Sequence, residues 1–436
     1  MRYLFLVFIF WWISFSLQSQ DCEKAGRIPS EVLAHRKDLL SLMDSTSALV
    51  MKAADADYDI DIDPYRQSPD FLYLTGIDEP GYKVIFCPAG YQLGNRIKTV
   101  MIFTYPYQQD LPVILSETDT ILNDKFFEPV IAGVTRKLKT LYYSPVPKLY
   151  NDWVNGKVVI TEREMKKAFE QAHPGIKLKP AQKLFASLRQ VKTKQETELL
   201  SRAISITREG ILSVISRCRP GMYEYELQAI IEYEATRRGA ESMAFASIIG
   251  SGTNSLIPHY DKNNYIMNKG DLVVMDVGAR YGAYCADISR TIPVSGKFND
   301  DQKIIYQAVL DIQKAVIGMV KPGITMGDLD VKTGQLTRNA GYGNYILHGV
   351  THPLGLVVHD VSAGDTLWPG MVITVEPGIY IPLNDTIQPV NRRGFGVRIE
   401  DDVLVTADGH EVLSRGIPKE VSEIEKLMKK KRQKQP

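Results

Sequence analysis

The sequence predicts an α/β (α+β) protein of two lobes, the first mixing strands and helices and the second carrying the chemistry. Three observations predict it. A chain of 436 residues with 44% hydrophobic content has room for two or three domains with full cores. Residues from about 25 to 185 mix strand runs such as YKVIFCP and KTVMIFTY with helical stretches such as TEREMKKAFEQAH. From residue 192 onward the order helix, helix, strands occurs twice, a weak repeat of organisation.

At the N-terminus, Arg2, an apolar run from Leu4 to Ile13 and the polar exit SFSLQSQ have the layout of a secretory signal peptide over residues 1–20. That layout implies export to a periplasm or the outside. The run is short for a membrane span, so no stable anchor is expected. Cys22 follows Gln20 and Asp21 rather than the small residues of a lipoprotein site. The four cysteines, Cys22, Cys87, Cys218 and Cys285, lack metal spacing and leave disulfides open. A net charge of +1 argues against a nucleic-acid partner. The basic KKKRQK (429–434), after the amphipathic EVSEIEKLM, reads as a solvated C-terminal end.

The first lobe is placed at 25–185 and the second at 186–430. A long amphipathic helix, KTKQETELLSRAISITREGILSVISR, opens the second lobe, and GMYEYELQAIIEYEATRRG reads as another. A strand hairpin follows. DDQKIIYQAVLDIQKAVIGMV and TMGDLDVKTGQLTRNAG read as two further helices, and strands bearing Glu376 and Glu400 close the lobe.

The hairpin is where chemistry first shows. DLVVMDVG has the apolar run of a buried strand, CADISRTI alternates like a half-buried one, and residues 280–283 read as the turn between them. That turn would set Asp276 directly opposite Asp287, on one face with Cβ atoms about 5 Å apart. Two like charges so close are usually relieved by a shared cation. The plainer alternative is that one aspartate caps the turn and the other pairs with an arginine such as Arg290.

Further residues favour the cation. Glu376 ends the run MVITVE and is followed by Pro377-Gly378, so its carboxylate emerges where the strand stops. Glu400 lies in the strand pattern GVRIEDDVLV, whose alternation puts Arg398 on the same face, to orient that carboxylate or bind a charged group of a substrate. Asp401 points to the other face, and both Asp401 and Asp402 read as a hydrogen-bonded strand edge. Of only seven histidines, His348, His352 and His359 fall within HGVTHPLGLVVHD, with His259 in SLIPHYD, whereas His35, His173 and His410 read as packed or surface residues. Brought together, Asp276, Asp287, His352, Glu376 and Glu400 would cage two divalent metal ions. The mixed ligand set suits Mn2+, Co2+ or Zn2+. Cys285, two residues before Asp287, reads as strand packing.

GSGTNSLIPHY, VMDVGARYGAYCADISRT, HGVTHPLGLVVHD, TVEPGIYI and GVRIEDD, in this order, resemble the signature segments of the aminopeptidase P and prolidase group of metallopeptidases. YRQSPDFLYLTGIDEPG resembles the creatinase-type domain that precedes the catalytic domain in that group. The resemblance implies an N-terminal creatinase-like domain and a C-terminal pita-bread catalytic domain. It implies that Asp276 is a terminal ligand of one metal, Asp287 and Glu400 bridge both, and His352 and Glu376 bind the second. His259 and His359 match histidines that stabilise the tetrahedral intermediate or relay protons, and His348, Arg398 and Tyr380 match residues of the substrate site. Phe245 stands where some aminopeptidases P have tyrosine.

The implied reaction is release of the N-terminal residue from peptides with proline at the second position. Two divalent ions, most simply Mn2+, would share a water, acidify it and polarise the scissile carbonyl, so that a bridging hydroxide attacks the peptide carbon. Glu376 is the expected general base and then acid. The nitrogen before proline carries no hydrogen, so the ring must be recognised by shape. Relatives are often dimers or tetramers, which implies a homo-oligomer. Alternatives are a prolidase restricted to Xaa-Pro dipeptides, a methionine aminopeptidase, which usually lacks so large an N-terminal domain, and a metal-free peptide-binding relative, which five filled ligand positions disfavour.

Overall fold

A computed structural model describes residues 29–54, 66–104, 114–144 and 162–432. The signal-peptide segment, Cys22 and the last residues of the basic tail lie outside the described residues.

The first lobe runs through α1 (Pro29–Leu42), β1 (Ser47–Lys52), α2 (Pro69–Thr75), β2 (Lys83–Leu93), β3 (Arg96–Thr104), β4 (Asp119–Asn123), α3 (Phe127–Thr135), β5 (Thr140–Tyr143), α4 (Glu162–Ala172), β6 (Lys177–Pro180) and α5 (Gln182–Arg189), a helix that starts before the expected boundary at 185 and carries the lobe four residues past it. Its strands form one mixed sheet in the order β4-β3-β2-β1-β5-β6. Central β2 and β3 contribute Val84, Phe86, Val100 and Ile102 to one covered face and Ile85, Met101 and Phe103 to the other. Both faces are dry, which is why these strands read as continuous apolar runs.

In the second lobe, α6 (Lys194–Arg217) and α7 (Glu224–Thr236) precede β7 (Ser242–Met243), β8 (Ile248–Ser251), β9 (Leu272–Val277), β10 (Ala279–Tyr281), β11 (Tyr284–Cys285) and β12 (Ile288–Pro293). Then α8 (Asp300–Ile317) and α9 (Met326–Asn339) precede β13 (Val372–Val375), β14 (Gly378–Ile381), β15 (Phe395–Arg398), β16 (Asp401–Val405) and β17 (His410–Val412), and α10 (Val421–Arg432) ends the description. Two helices followed by strands thus occur twice, in the order the sequence predicted. Capping boxes fix three helix starts, Thr193 with Glu196, Asn299 with Gln302 and Thr325 with Asp328. The helices cover sheets ordered β12-β9-β8 and β13-β16-β17 around one apolar core.

The hairpin differs from its predicted register. Its turn is the two-residue Gly282-Ala283, both with positive φ (57° and 70°), flanked by the pair Tyr281 and Tyr284. Every pair therefore sums two higher than expected, and Asp276 faces Ser289 rather than Asp287. The aspartates are diagonal neighbours on one face. The four-residue turn failed because Ala283 accepts a left-handed backbone that alanine rarely adopts. β12 is buried along its whole length, not half-buried, because β15 covers its polar face: Thr291 Oγ1 donates to the Arg398 carbonyl (2.9 Å).

Candidate metal centre

Each of the four predicted carboxylate ligands sits at the end of a strand or in the break beside one, and His352 lies in an irregular segment alongside β13, its carbonyl accepting from the Thr374 N–H (3.0 Å). Asp276 is the penultimate residue of β9, Asp287 immediately precedes β12, and Glu376 follows β13. Glu400 occupies the break between β15 and β16 rather than a strand, with its N–H donating to the Ser289 carbonyl (3.1 Å). A carboxylate released from a ladder can turn its oxygens inward. One ligand atom each from Asp287, His352 and Glu400 lie within 4.8 Å of one another. His352 Nε2 stands 3.5 Å from Asp287 Oδ2 and 3.5 Å from Glu376 Oε1. Arg398 Nη2 reaches Asp276 Oδ2 (2.8 Å).

The protonation pattern of His352 matches a ligand. Burial, with a smaller contribution from His359, lowers its pKa to about 4, so the ring is neutral. Nδ1 donates to the Pro353 carbonyl (3.2 Å), leaving the Nε2 lone pair aimed at two carboxylates. Lone pair against carboxylate is repulsive unless a proton or a metal ion stands between. Both Glu400 oxygens and Asp276 Oδ1 are buried without a hydrogen-bond partner, an expensive arrangement for a structural carboxylate.

Burial and mutual repulsion set the remaining titrations. Asp287 is pushed well above the carboxylate range by desolvation and then by Glu400 and Asp276. Glu400 rises likewise, through desolvation and Glu376. Glu376 is pushed up to about 8 by desolvation and Asp276, with Arg398 opposing. Such groups hold either protons or cations. Four carboxylates facing a neutral imidazole supply hard ligands enough for divalent ions, and the donor set fits them.

Beside the cluster runs a polar chain. Arg398 donates from Nε to Ser289 Oγ (2.9 Å) and from Nη1 to the Tyr380 oxygen (2.8 Å). Tyr380 lies 2.7 Å from His348 Nε2, and His348 Nδ1 donates to the Gly349 carbonyl (2.7 Å). Burial and the Arg398 charge lower the His348 pKa, so it is a neutral acceptor for the tyrosine hydroxyl. Burial lifts Tyr380 to about 12, which keeps it a donor. His359 is exposed and packs edge-on against the His352 ring, centroids 4.3 Å apart. His259 is exposed, close enough to His348 to affect its charge, and the preceding Pro258 carbonyl accepts from Arg398 Nη2 (3.3 Å). All the predicted site residues therefore gather at one face of the second lobe. Phe245 lies against Gly278 on the hairpin backbone.

Two readings are corrected. Asp401 is not at a strand edge: β16 is the central strand of its sheet, and Asp401 is fully buried against Arg290 Nη2 (2.8 Å), Gln313 and Lys419. Burial raises its pKa, but Arg290 and Lys419 outweigh that and hold it low. Arg290 thus pairs with Asp401 rather than with a hairpin aspartate. Asp402 is also buried, accepting from the Asp287 N–H (3.3 Å) behind the cluster. Its position two residues after Glu400 was a legible signal of a shared face. Cys87 and Cys285 are free and buried, Cys218 is buried, and burial lifts the Cys285 thiol to about 12, as packing requires.

Fold and site together define a two-lobed metal-dependent hydrolase. Residues 198–407 match metallopeptidase family M24, and residues 33–110 match the aminopeptidase P N-terminal domain. The Xaa-Pro aminopeptidase of Escherichia coli K12 is 33% identical over 415 residues, covering 87% of this chain and 91% of that one. The Xaa-Pro dipeptidase of Pyrococcus furiosus is 40% identical over 233 residues, 52% of this chain and 64% of its own length. The structure of E. coli aminopeptidase P with the inhibitor Pro-Leu superposes with a TM-score of 0.78 at 28% identity, covering 93% of this chain and 99% of that one. The chain belongs to the aminopeptidase P and prolidase group of family M24, with the pita-bread catalytic fold, and is a metallo-aminopeptidase using divalent metal ions.

Proposed function

We propose that this enzyme removes the N-terminal residue from peptides with proline at the second position, using two divalent ions held by Asp276, Asp287, His352, Glu376 and Glu400. The observation that carries the reading is the desolvated cluster of Asp287, His352 and Glu400, with unpartnered carboxylate oxygens, in a chain that parallels a Xaa-Pro aminopeptidase over nearly its whole length. When bound, the ions supply Lewis acidity to a water and to the scissile carbonyl.

The protein's own groups do the rest. Glu376 takes a proton from the attacking water and returns it to the prolyl nitrogen as the C–N bond breaks; a pKa near 8 before metal binding suits both directions. Asp276, held by Arg398, fixes one side of the centre. His259 and His359, on exposed loops beside the cluster, donate to the developing oxyanion or relay protons. His348, Tyr380 and Arg398 form a rigid wall against which the substrate backbone is set.

Mn2+ is the proposed resident metal. The division into leader 1–20, N-terminal domain 25–185 and catalytic domain 186–430, export through that leader, and assembly as a dimer or tetramer belong to the same proposal. The prolidase reading draws on the P. furiosus likeness. A panel of Xaa-Pro dipeptides, Xaa-Pro tripeptides and Xaa-Ala tripeptides, run with Mn2+, Co2+ and Zn2+, separates them: cleavage of the proline tripeptide at its first bond supports the aminopeptidase, and cleavage of the dipeptide alone supports prolidase.

A further inference from the structure

The loop from His352 to Asp360 carries a proposed metal ligand at one end, where the Leu354 N–H donates to the Val372 carbonyl (2.9 Å) and the His352 carbonyl accepts from the Thr374 N–H (3.0 Å) of β13, and a proposed catalytic histidine near the other, where the stretch 356–359 pairs with no described strand. Its shape therefore depends on anchors. Asp360 is the main one. Its N–H donates to the Pro353 carbonyl (2.9 Å), closing the loop, and its Oδ1 accepts from the Val361 N–H (2.9 Å). Its Oδ2 presses so close to Gly355 that a Cβ there would lie 1.9 Å away.

That carboxylate is gripped from outside the loop. Arg189, at the end of α5, donates through Nη2 to Asp360 and through Nη1 to Asp70 on α2. Lys192 Nζ lies 3.6 Å from Asp360 Oδ2. The side chains of Arg189, Lys192 and Asp360 are 3%, 2% and 1% exposed, and that of Asp70 17%. Burying two cations and two anions is costly unless their geometry is well fixed. The network continues through Glu196, whose charge acts on Lys192 and which accepts from the Tyr284 hydroxyl, three residues before Asp287. His359 itself is exposed, and among the described residues its ring packs against the edge of His352.

The geometry points to Asp360 as the positioning residue for His359, with Arg189 and Asp70 as the arm through which the N-terminal lobe sets the catalytic loop. Turnover then depends on a lobe that supplies none of the five proposed ligands. This rests on the assignment of His359 as a catalytic histidine.

Asp70→Asn tests it with the least risk to folding, because Arg189 keeps Asp360; Arg189→Lys is the second variant, keeping the charge but not the fork. Both are measured in the metal-loaded full chain against an Xaa-Pro tripeptide, with bound metal and Tm recorded. His359→Ala is expected to lower kcat by about 10² or more. D70N and R189K are expected to lower kcat by about tenfold with KM and metal content nearly unchanged. In the H359A background, D70N should add less than about twofold, because the group it positions is gone. The proposal is overturned if D70N and R189K keep parental kcat while H359A does not, or if D70N costs as much with His359 absent. Parental kcat in H359A would overturn the assignment of His359 and this inference with it.

Discussion

The chemistry rests on carboxylates that burial forces to hold something other than water. Glu400 is 1% exposed with neither oxygen bonded, and Asp287 is 5% exposed. Replacing either with its amide removes a hard anionic ligand, and Glu400→Gln or Asp287→Asn is expected to lower kcat/KM about a thousandfold, or ~4 kcal/mol of barrier. Metal content measured on the same preparations should fall in parallel. A pH dependence follows from the raised titrations. In metal-free folded protein Glu376 keeps its proton up to about pH 8, whereas an unfolded glutamate loses it near pH 4.3. The folded state binds more protons, so this contribution is complete at low pH and disappears as pH rises through about 8. The Tm of metal-free protein should therefore fall between about pH 5 and 8. That of Glu376→Gln should fall less, and added Mn2+, which replaces the protons, should rescue the parent more at the upper end. Equal slopes for parent and variant would contradict the assignment.

At the scale of single elements, the hairpin shows what was legible and what was not. Alternation put Asp276 and Asp287 on one face, which holds, but the turn type set the register, and Ala283 at φ 70° gives no sequence signal for a two-residue turn. Glu376 was readable because Pro377-Gly378 stops its strand. Asp401 and Asp402 were misread because neighbouring strands, invisible in the sequence, decide whether a strand is an edge or a centre. Two substitutions test the elements. Gly278 lies between the aspartates, where a Cβ would sit 1.8 Å from the Ala286 carbonyl oxygen. Gly278→Ala should cost about 1–3 kcal/mol of stability and lower metal affinity, read by denaturant unfolding and metal titration. Arg290→Met strands the buried Asp401 charge and should cost about 3–5 kcal/mol by the same unfolding measurement, with Lys419 limiting the loss.

Across the whole molecule, the two halves of the catalytic lobe present their strand ends to one face, so residues more than a hundred positions apart, such as Asp276 and Glu400, meet without any long insertion. The order of helices and strands announced this repeat; the meeting itself needed tertiary packing, which no local pattern encodes. The buried Asp70, Arg189 and Asp360 contacts join the lobes, and they escaped the sequence reading because each residue is unremarkable in its own segment. The central claim is that this cluster is a metal centre built for Xaa-Pro bonds. Its most direct test is mass spectrometry of an Xaa-Pro-Xaa tripeptide incubated with Mn2+-loaded protein. Release of the first residue alone, abolished by chelation and restored by Mn2+, is the predicted result; an intact peptide over folded, metal-bearing protein would contradict it.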